Sequence, residues 1–476
     1  MAERRECGPW PREGEPRPAG RARRLCVVGA GYVGLTAAAC FAHLGHDVRC
    51  VERDAERLGT LLEGGIPIHE PGLAELVAAG LRSGRLGFTD DIGAALEGAE
   101  VAFLCVGTPP QASGEPDLSL LAAAAREAAR HASGDVVVVV KSTVPPGSCE
   151  ALELVCAEEA APGVRIRVAS SPEFLRESRA VEDFLAPDRV VVGAEDADAA
   201  ELVAGLYPEG CPVVVCDRRG AELVKYAANT YLAIKISFAN EVAQLCDALG
   251  TEAQAVLAGV GADHRVGPEF LRPGPGYGGS CLPKDVAGFI ALGEAAGTRT
   301  TLAAAAEAQN AHARRSVVHR LELVLGGLSG RQVGVLGLAF KDGTDDVRDS
   351  PALQIVADLV AAGAVVTCYD PLAPSFLALG TRAATVSGAI VGAEALVVAV
   401  ASEEYQRLDP VTAARSMAGR VVFDAAGILD LERWTAAGFS VYGVGRGMPL
   451  AFYPVVWTPL RWTTAGKSPG AEAAGA

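Results

Sequence analysis

The chemically richest stretch of the chain is Gly276-Tyr277-Gly278-Gly279-Ser280-Cys281-Leu282-Pro283-Lys284-Asp285. Glycine fills four of the seven positions 274–280, which makes a loop whose backbone can close on a ligand. Cys281 ends that loop, and Pro283 and Asp285 mark the first turn of a helix behind it. A thiol at a helix N-terminus and beside Lys284 has its thiolate favoured, so Cys281 is expected to attack a carbonyl carbon. The competing reading is a buried structural thiol, which suits most of the other cysteines.

Lys225 and Asn229 lie four apart in an expected helix and share one of its faces. An ammonium and an amide beside a thiol would polarise a carbonyl and hold the oxyanion that forms on it. A solvated lysine on an amphipathic face is the alternative. Glu173 and Glu177, in Pro172-Glu173-Phe174-Leu175-Arg176-Glu177, are also four apart. They read as a working carboxylate pair or as an exposed helical turn.

A second chemistry is written near the start. Gly29-Ala30-Gly31-Tyr32-Val33-Gly34 follows a short apolar run and opens a helical one, the context a dinucleotide-binding turn requires. The first glycine permits the turn, the second admits a pyrophosphate, and the third lets helix and strand pack. Glu52 closes the next expected strand, where an acid accepts from both ribose hydroxyls and repels a 2′-phosphate. NAD is therefore expected over NADP, although Arg53 places a positive charge next door. Thr108 and Thr143 follow two later strands, at the ends where ligands of open α/β sheets bind; each alone also fits a turn or cap.

The elements that must position these groups alternate. Strands are expected at 25–29, 47–51, 101–105, 136–140, 166–169 and 190–192, with an alanine-rich helix at 32–44 and others between. Residues 221–249 and 302–325 read as long helices. A second α/β run follows, with strands at 333–336, 365–369, 396–400 and 421–423 and a helix at 352–361. The fold class expected is α/β: two Rossmann-like doubly wound parallel-sheet domains joined by a long-helix central domain. The expected boundaries are 23–207, 208–328 and 329–462, between a disordered tail at 1–22 and a flexible one at 463–476.

Composition narrows the partners. The chain has 476 residues, too many for one ordinary core, and half of them are hydrophobic. A formal net charge of −16 argues against nucleic acid. No apolar run is long enough to span a membrane, and residues 1–24 lack the apolar core of a secretory signal. Twelve cysteines without a CxxC pair or zinc spacing point to reduced thiols in a cytoplasm and to no metal site.

Taken in order, Gly29–Gly34, Lys141-Ser142-Thr143, the stretch from Ser171 to Glu177, Lys225 with Asn229, the Cys281 loop, Phe340-Lys341 and residues 345–351 form a series of motifs. The series resembles the UDP-glucose/GDP-mannose dehydrogenase family over roughly residues 24–450. The Cys281 loop and Ile236-Ser237-Phe238-Ala239-Asn240-Glu241 are closest to the bacterial enzymes that oxidise UDP-glucose at C6.

The resemblance implies two successive NAD-dependent oxidations of a nucleotide sugar. The first makes an aldehyde, Cys281 captures it as a thiohemiacetal, the second makes a thioester, and water releases the acid. It further implies that Lys225 and Asn229 hold the oxyanion, that Asp285 assists proton transfer, and that Thr143 and Glu173 position or activate water. Gly29, Gly31, Tyr32, Val33, Gly34, Glu52, Arg57, Thr108, Thr143, Glu177, Lys284 and Arg348 would face NAD. The substrate, UDP-glucose or a related nucleotide sugar, would meet Glu173, Phe174, Leu175, Lys225, Asn229, Phe270, Leu271, Gly274, Tyr277, Gly278 and Lys341, with Arg265 donated across a homodimer. The chain departs from the family pattern at Ser171, where Asn is common, at Leu282 in place of Phe, and at Ser178 in place of Gly. These leave UDP-N-acetylhexosamine and GDP-mannose as alternative substrates. A two-electron hydroxyacid dehydrogenase would need no Cys281, and a non-catalytic NAD-binding scaffold would need neither Lys225 nor Asn229.

Overall fold

The computed structural model describes residues 20–111, 114–373 and 380–446. The expected tails fall outside them, apart from residues 20–22.

Strands β1 (Arg24–Val28), β2 (Asp47–Val51), β3 (Leu86–Thr89), β4 (Val101–Leu104), β5 (Val136–Val140), β6 (Ile166–Ser170), β7 (Val190–Gly193) and β8 (Val213–Cys216) form one sheet. Its order is β3-β2-β1-β4-β5-β6-β7-β8. All pairings are parallel except β6 with β7, which meet at a single antiparallel pair, Ser170 and Gly193. Helices cover both faces, so inner strands are apolar without alternation: β5 is five buried valines. The order of the first six strands is that of a dinucleotide-binding sheet, whose chain direction switches between β1 and β4.

The same order recurs. Strands β9 (Gln332–Leu336), β10 (Val365–Tyr369), β11 (Thr381–Arg382), β12 (Ala395–Val398), β13 (Val421–Asp424) and β14 (Ser440–Gly443) pair all-parallel as β11-β10-β9-β12-β13-β14. The first sheet continues through β8, beyond the expected domain boundary at 207. The signals of β3, β11 and β14 are weak because these strands are short and contain glycine or few apolar residues.

Between the sheets runs helix Arg218–Leu249, 32 residues and about 48 Å long. Asp217 caps its start by accepting from the Gly220 amide at 2.8 Å, and Gly250 ends it in the left-handed conformation. Each half holds a different domain. Near the start, the buried Glu222 carboxylate accepts from the Gly147 and Cys149 amides at 2.7 and 2.8 Å. Near the end, Asp247 accepts from the Gly445 amide at 3.1 Å and pairs with Arg320 at 2.8 Å. Helices Leu282–Ala295 and Thr301–Leu325 pack alongside. Among the described residues, no helix is long and apolar enough to cross a membrane.

Candidate active site

The turn after β1 has the shape its glycines foretold. A Cβ on Gly34 would lie 1.8 Å from the Gly29 carbonyl oxygen, so helix and turn pack in contact. A Cβ on Gly31 would meet nothing within 4 Å, which leaves room for a phosphate. Gly31 also begins helix Tyr32–His43 with no side chain capping the free N–H groups. Glu52, buried at the end of β2, accepts from the Ala30 amide at 3.2 Å and from Arg53 and Asp54 amides at 2.8 and 2.9 Å. Arg57 pairs with it at 3.1 Å, while Arg53 turns away to Glu127. Val33 is half-buried against the first core. Thr108 and Thr143 meet at the carboxyl ends of β4 and β5, Thr108 Oγ1 donating to the Thr143 carbonyl at 3.0 Å. A buried acid at the ribose position, open space at the second glycine and unpaired helix amides fit a dinucleotide.

A cavity of about 580 Å³ opens between the first sheet, the central helices and the loop after β9. Cys281, Lys225, Asn229 and Glu173 line it together, so the thiol, ammonium and amide do converge. The Lys225 ammonium donates to Glu173 Oε1 at 2.8 Å, and the Leu175 amide donates to the other carboxylate oxygen at 2.6 Å. Burial pushes the Glu173 carboxyl up, but the Lys225 charge and these bonds outweigh it and hold it below the ordinary range. Burial likewise works against the Lys225 ammonium, and Glu173, Asp285 and Cys281 together hold its pKa up.

Cys281 caps helix Leu282–Ala295, as expected, but its thiolate is not favoured. Burial pushes the thiol pKa up and Glu173 adds to it; Lys225 and a hydrogen bond with Ser280 pull the other way without prevailing. The expected activation by Lys284 fails because its ammonium bonds to Asp285 Oδ1 at 2.5 Å. Asp285 itself is buried behind the cavity, where its other oxygen accepts from Asn229 Nδ2 at 2.6 Å. It orients the amide that faces the cavity.

Glu177 joins all three domains. It accepts from Ser280 Oγ at 3.2 Å and from Thr344 Oγ1 at 3.3 Å, with Arg348 at 3.7 Å. Lys341 donates to the Glu177 carbonyl at 2.5 Å. Burial and the neighbouring Asp346 carboxylate raise the Glu177 pKa to about 7, against the pull of Arg348 and Lys341. Tyr32 reaches the same corner, its hydroxyl bonded to Glu70 and accepting from the Ser178 amide at 3.1 Å.

Phe174, Leu175, Phe270, Gly278 and Lys341 line the cavity. Leu271 instead faces a second cleft, of about 1050 Å³, at the carboxyl ends of the β9, β12 and β13 strands. The Gly274 amide is bound to Asn240 Oδ1 at 2.9 Å. Tyr277 does not belong to the cavity: its ring is buried with Ala233, Val286 and Ala303 in the helical core. Arg265 is exposed, paired with Asp263 and absent from the cavity wall. The glycine loop closes largely on protein, since a Cβ on Gly279 would lie 2.8 Å from the Phe340 ring. Sequence reasoning missed Arg189, stacked 3.7 Å from the Phe174 ring in the cavity wall, because nothing in Pro187-Asp188-Arg189 marks it. It also missed Ser280, which sits between Cys281 and Glu177. Among the described residues no group of acids, cysteines and histidines could hold a metal.

A doubly wound sheet with this phosphate turn, facing a cysteine cavity against a second such sheet, defines a dinucleotide-dependent oxidoreductase. Three models of the UDP-glucose/GDP-mannose dehydrogenase family match in succession: the NAD binding domain at residues 23–210, the central domain at 219–312 and the UDP binding domain at 334–431. The chain belongs to this family, and NAD is its cofactor. It is 41% identical to the UDP-glucose 6-dehydrogenase of Rhizobium meliloti (strain 1021) over 435 residues, 89% of this chain and 99% of that one. A UDP-glucose dehydrogenase from the hyperthermophilic archaeon Pyrobaculum islandicum has a similar structure, with TM-score 0.84 and 39% identity over 90% of this chain and 98% of that one. A UDP-D-ManNAc dehydrogenase from Pyrococcus horikoshii follows at TM-score 0.81 and 30% identity over 89% and 99%.

Proposed function

We propose that this chain oxidises the C6 hydroxyl of UDP-glucose to a carboxylate, a four-electron reaction using two NAD⁺. The convergence of Cys281, Lys225, Asn229 and Glu173 on one cavity carries the reading, because only the aldehyde-to-acid half needs a nucleophile. NAD, bound at the β1 turn, accepts a hydride in each oxidation. Lys225 and Asn229 hold the sugar oxygen as it becomes an alkoxide and again when Cys281 adds to the aldehyde. Asp285 keeps the Asn229 amide aimed at that oxygen. Glu173, anionic beside Lys225, accepts a proton from the water that cleaves the thioester. Lys341, in the cavity wall, supplies positive charge for the diphosphate, and the cleft at the second sheet's strand ends has room for the nucleotide.

The working unit we propose is a homodimer in the cytoplasm. Tyr231, Phe238 and Leu245 follow one another at intervals of seven on helix Arg218–Leu249 and are 60, 47 and 59% exposed among the described residues, an apolar stripe whose first member also lines the cavity. Arg265, outside its own cavity, is then free to reach a partner's. Among the described residues no disulfide joins the cysteines, in keeping with a reducing compartment.

NADH release against a panel of nucleotide sugars tests the assignment. Two NADH per UDP-glucose and slower turnover of UDP-N-acetylhexosamines and GDP-mannose are expected. One NADH per sugar would refute the covalent mechanism, and preference for an N-acetylated sugar would replace the substrate.

A further inference from the structure

The mechanism above leaves one proton without an acceptor. Cys281 must lose its S–H proton as it bonds to the aldehyde, yet burial and the Glu173 and Asp285 carboxylates keep it a thiol. Glu173 serves the water of the later hydrolysis, and both Asp285 oxygens are taken by Asn229 and Lys284. One continuous path leads elsewhere. Cys281 Sγ lies 3.5 Å from Ser280 Oγ, which donates to Glu177 Oε1 at 3.2 Å.

We propose that Glu177 is the base for Cys281, taking the thiol proton through the Ser280 hydroxyl. The inference rests on the covalent reading of the site. As the S–C bond forms, the S–H bond breaks; Ser280 accepts that proton and passes its own to Glu177. The carbonyl electron pair moves onto oxygen, held by Lys225 and Asn229. Loss of hydride to NAD⁺ then leaves a thioester, with the thiol's proton held on Glu177 until hydrolysis. When water cleaves the thioester, the relay runs backwards and restores the thiol.

The surroundings suit the task. Facing Glu177 are Asp346, Arg348 and Lys341 from the last domain and Tyr32, with its partner Glu70, from the first. The Asp346 carboxylate and burial bring the Glu177 pKa to about 7, between an ordinary carboxylic acid and a thiol. With a pKa of about 7, a substantial share of Glu177 is ionised at neutral pH and basic enough to take a proton, as general-base catalysis requires.

Alkylation of Cys281 by iodoacetamide, followed site by site by peptide mass, tests the relay in the full chain without sugar or cofactor. In the wild type the rate should rise with Glu177 ionisation near pH 7, level off, and rise again as the thiol itself ionises. Glu177→Gln and Ser280→Ala should each abolish the first rise and slow alkylation at pH 8 by about tenfold or more. The sign is diagnostic: if Glu177 were only a negative neighbour, removing its charge would favour the thiolate and speed alkylation. A first rise that survives in either variant, or faster alkylation in Glu177→Gln, overturns the proposal. An intact relay profile with no nucleotide sugar oxidised would instead sink the substrate assignment.

Discussion

The reactivity of Cys281 depends on which charges reach it. Lys284, its near neighbour in sequence, spends its charge on Asp285, while Lys225, 56 residues away, is the cation that lowers the thiol pKa. Serine at 281 keeps the size but ionises far less readily. Cys281→Ser should bind NAD and nucleotide sugar nearly normally while steady-state NADH release falls by about three orders of magnitude or more. It should accumulate an ester adduct visible by intact mass. Cys246→Ser, in the small apolar cluster of Ala239, Ala243 and Ala253, should leave turnover near wild type. Wild-type turnover in Cys281→Ser, with two NADH per sugar, would make the thiol structural.

At the level of elements, cofactor choice is expected to lie at the end of β2. The Glu52 carboxylate already holds the Ala30 amide of the phosphate turn and the Arg57 side chain, so it fixes the turn at the place proposed for the ribose. Glu52→Ala removes both. The kcat/KM ratio of NADP to NAD should rise about tenfold, the equivalent of one charged hydrogen bond of roughly 1.5 kcal/mol. An unchanged ratio would move Glu52 away from the ribose. The element carrying most of the architecture, helix Arg218–Leu249, presents Lys225 and Asn229 to the cavity, with Tyr231 at its wall, and carries Phe238 and Leu245 of the apolar stripe exposed further along.

For the whole molecule, that stripe makes assembly testable. Light scattering should give a mass of two chains for the wild type. The double variant Phe238→Asp/Leu245→Asp should give one chain with unchanged far-ultraviolet circular dichroism, because both side chains are exposed in the monomer. It should also raise KM for the nucleotide sugar, since Arg265 would no longer reach a second cavity. A monomeric wild type would refute the dimer. Cys281, Glu173 and Lys341 belong to three different domains, so the cavity exists only while the long helix holds the two sheets together.

Taken alone, the amino-acid order settles the phosphate turn, the acid after β2, the valine strands and the Cys281 loop. Each is a local pattern whose physics acts within a few residues: backbone freedom at glycine, a short continuous run of β-branched apolar residues, a helix start. Lys225 and Asn229 are legible as a face because four residues make about one helical turn. Tertiary structure alone decides which charges surround the thiol, that Tyr277 packs into the helical core, that Arg189 lies over Phe174, and that Ser280 bridges Cys281 to Glu177. Those outcomes depend on groups up to 167 residues apart in sequence, as in the Glu177–Thr344 bond. Burial and Coulomb energies are set by distance in space, and a one-dimensional pattern does not encode that distance.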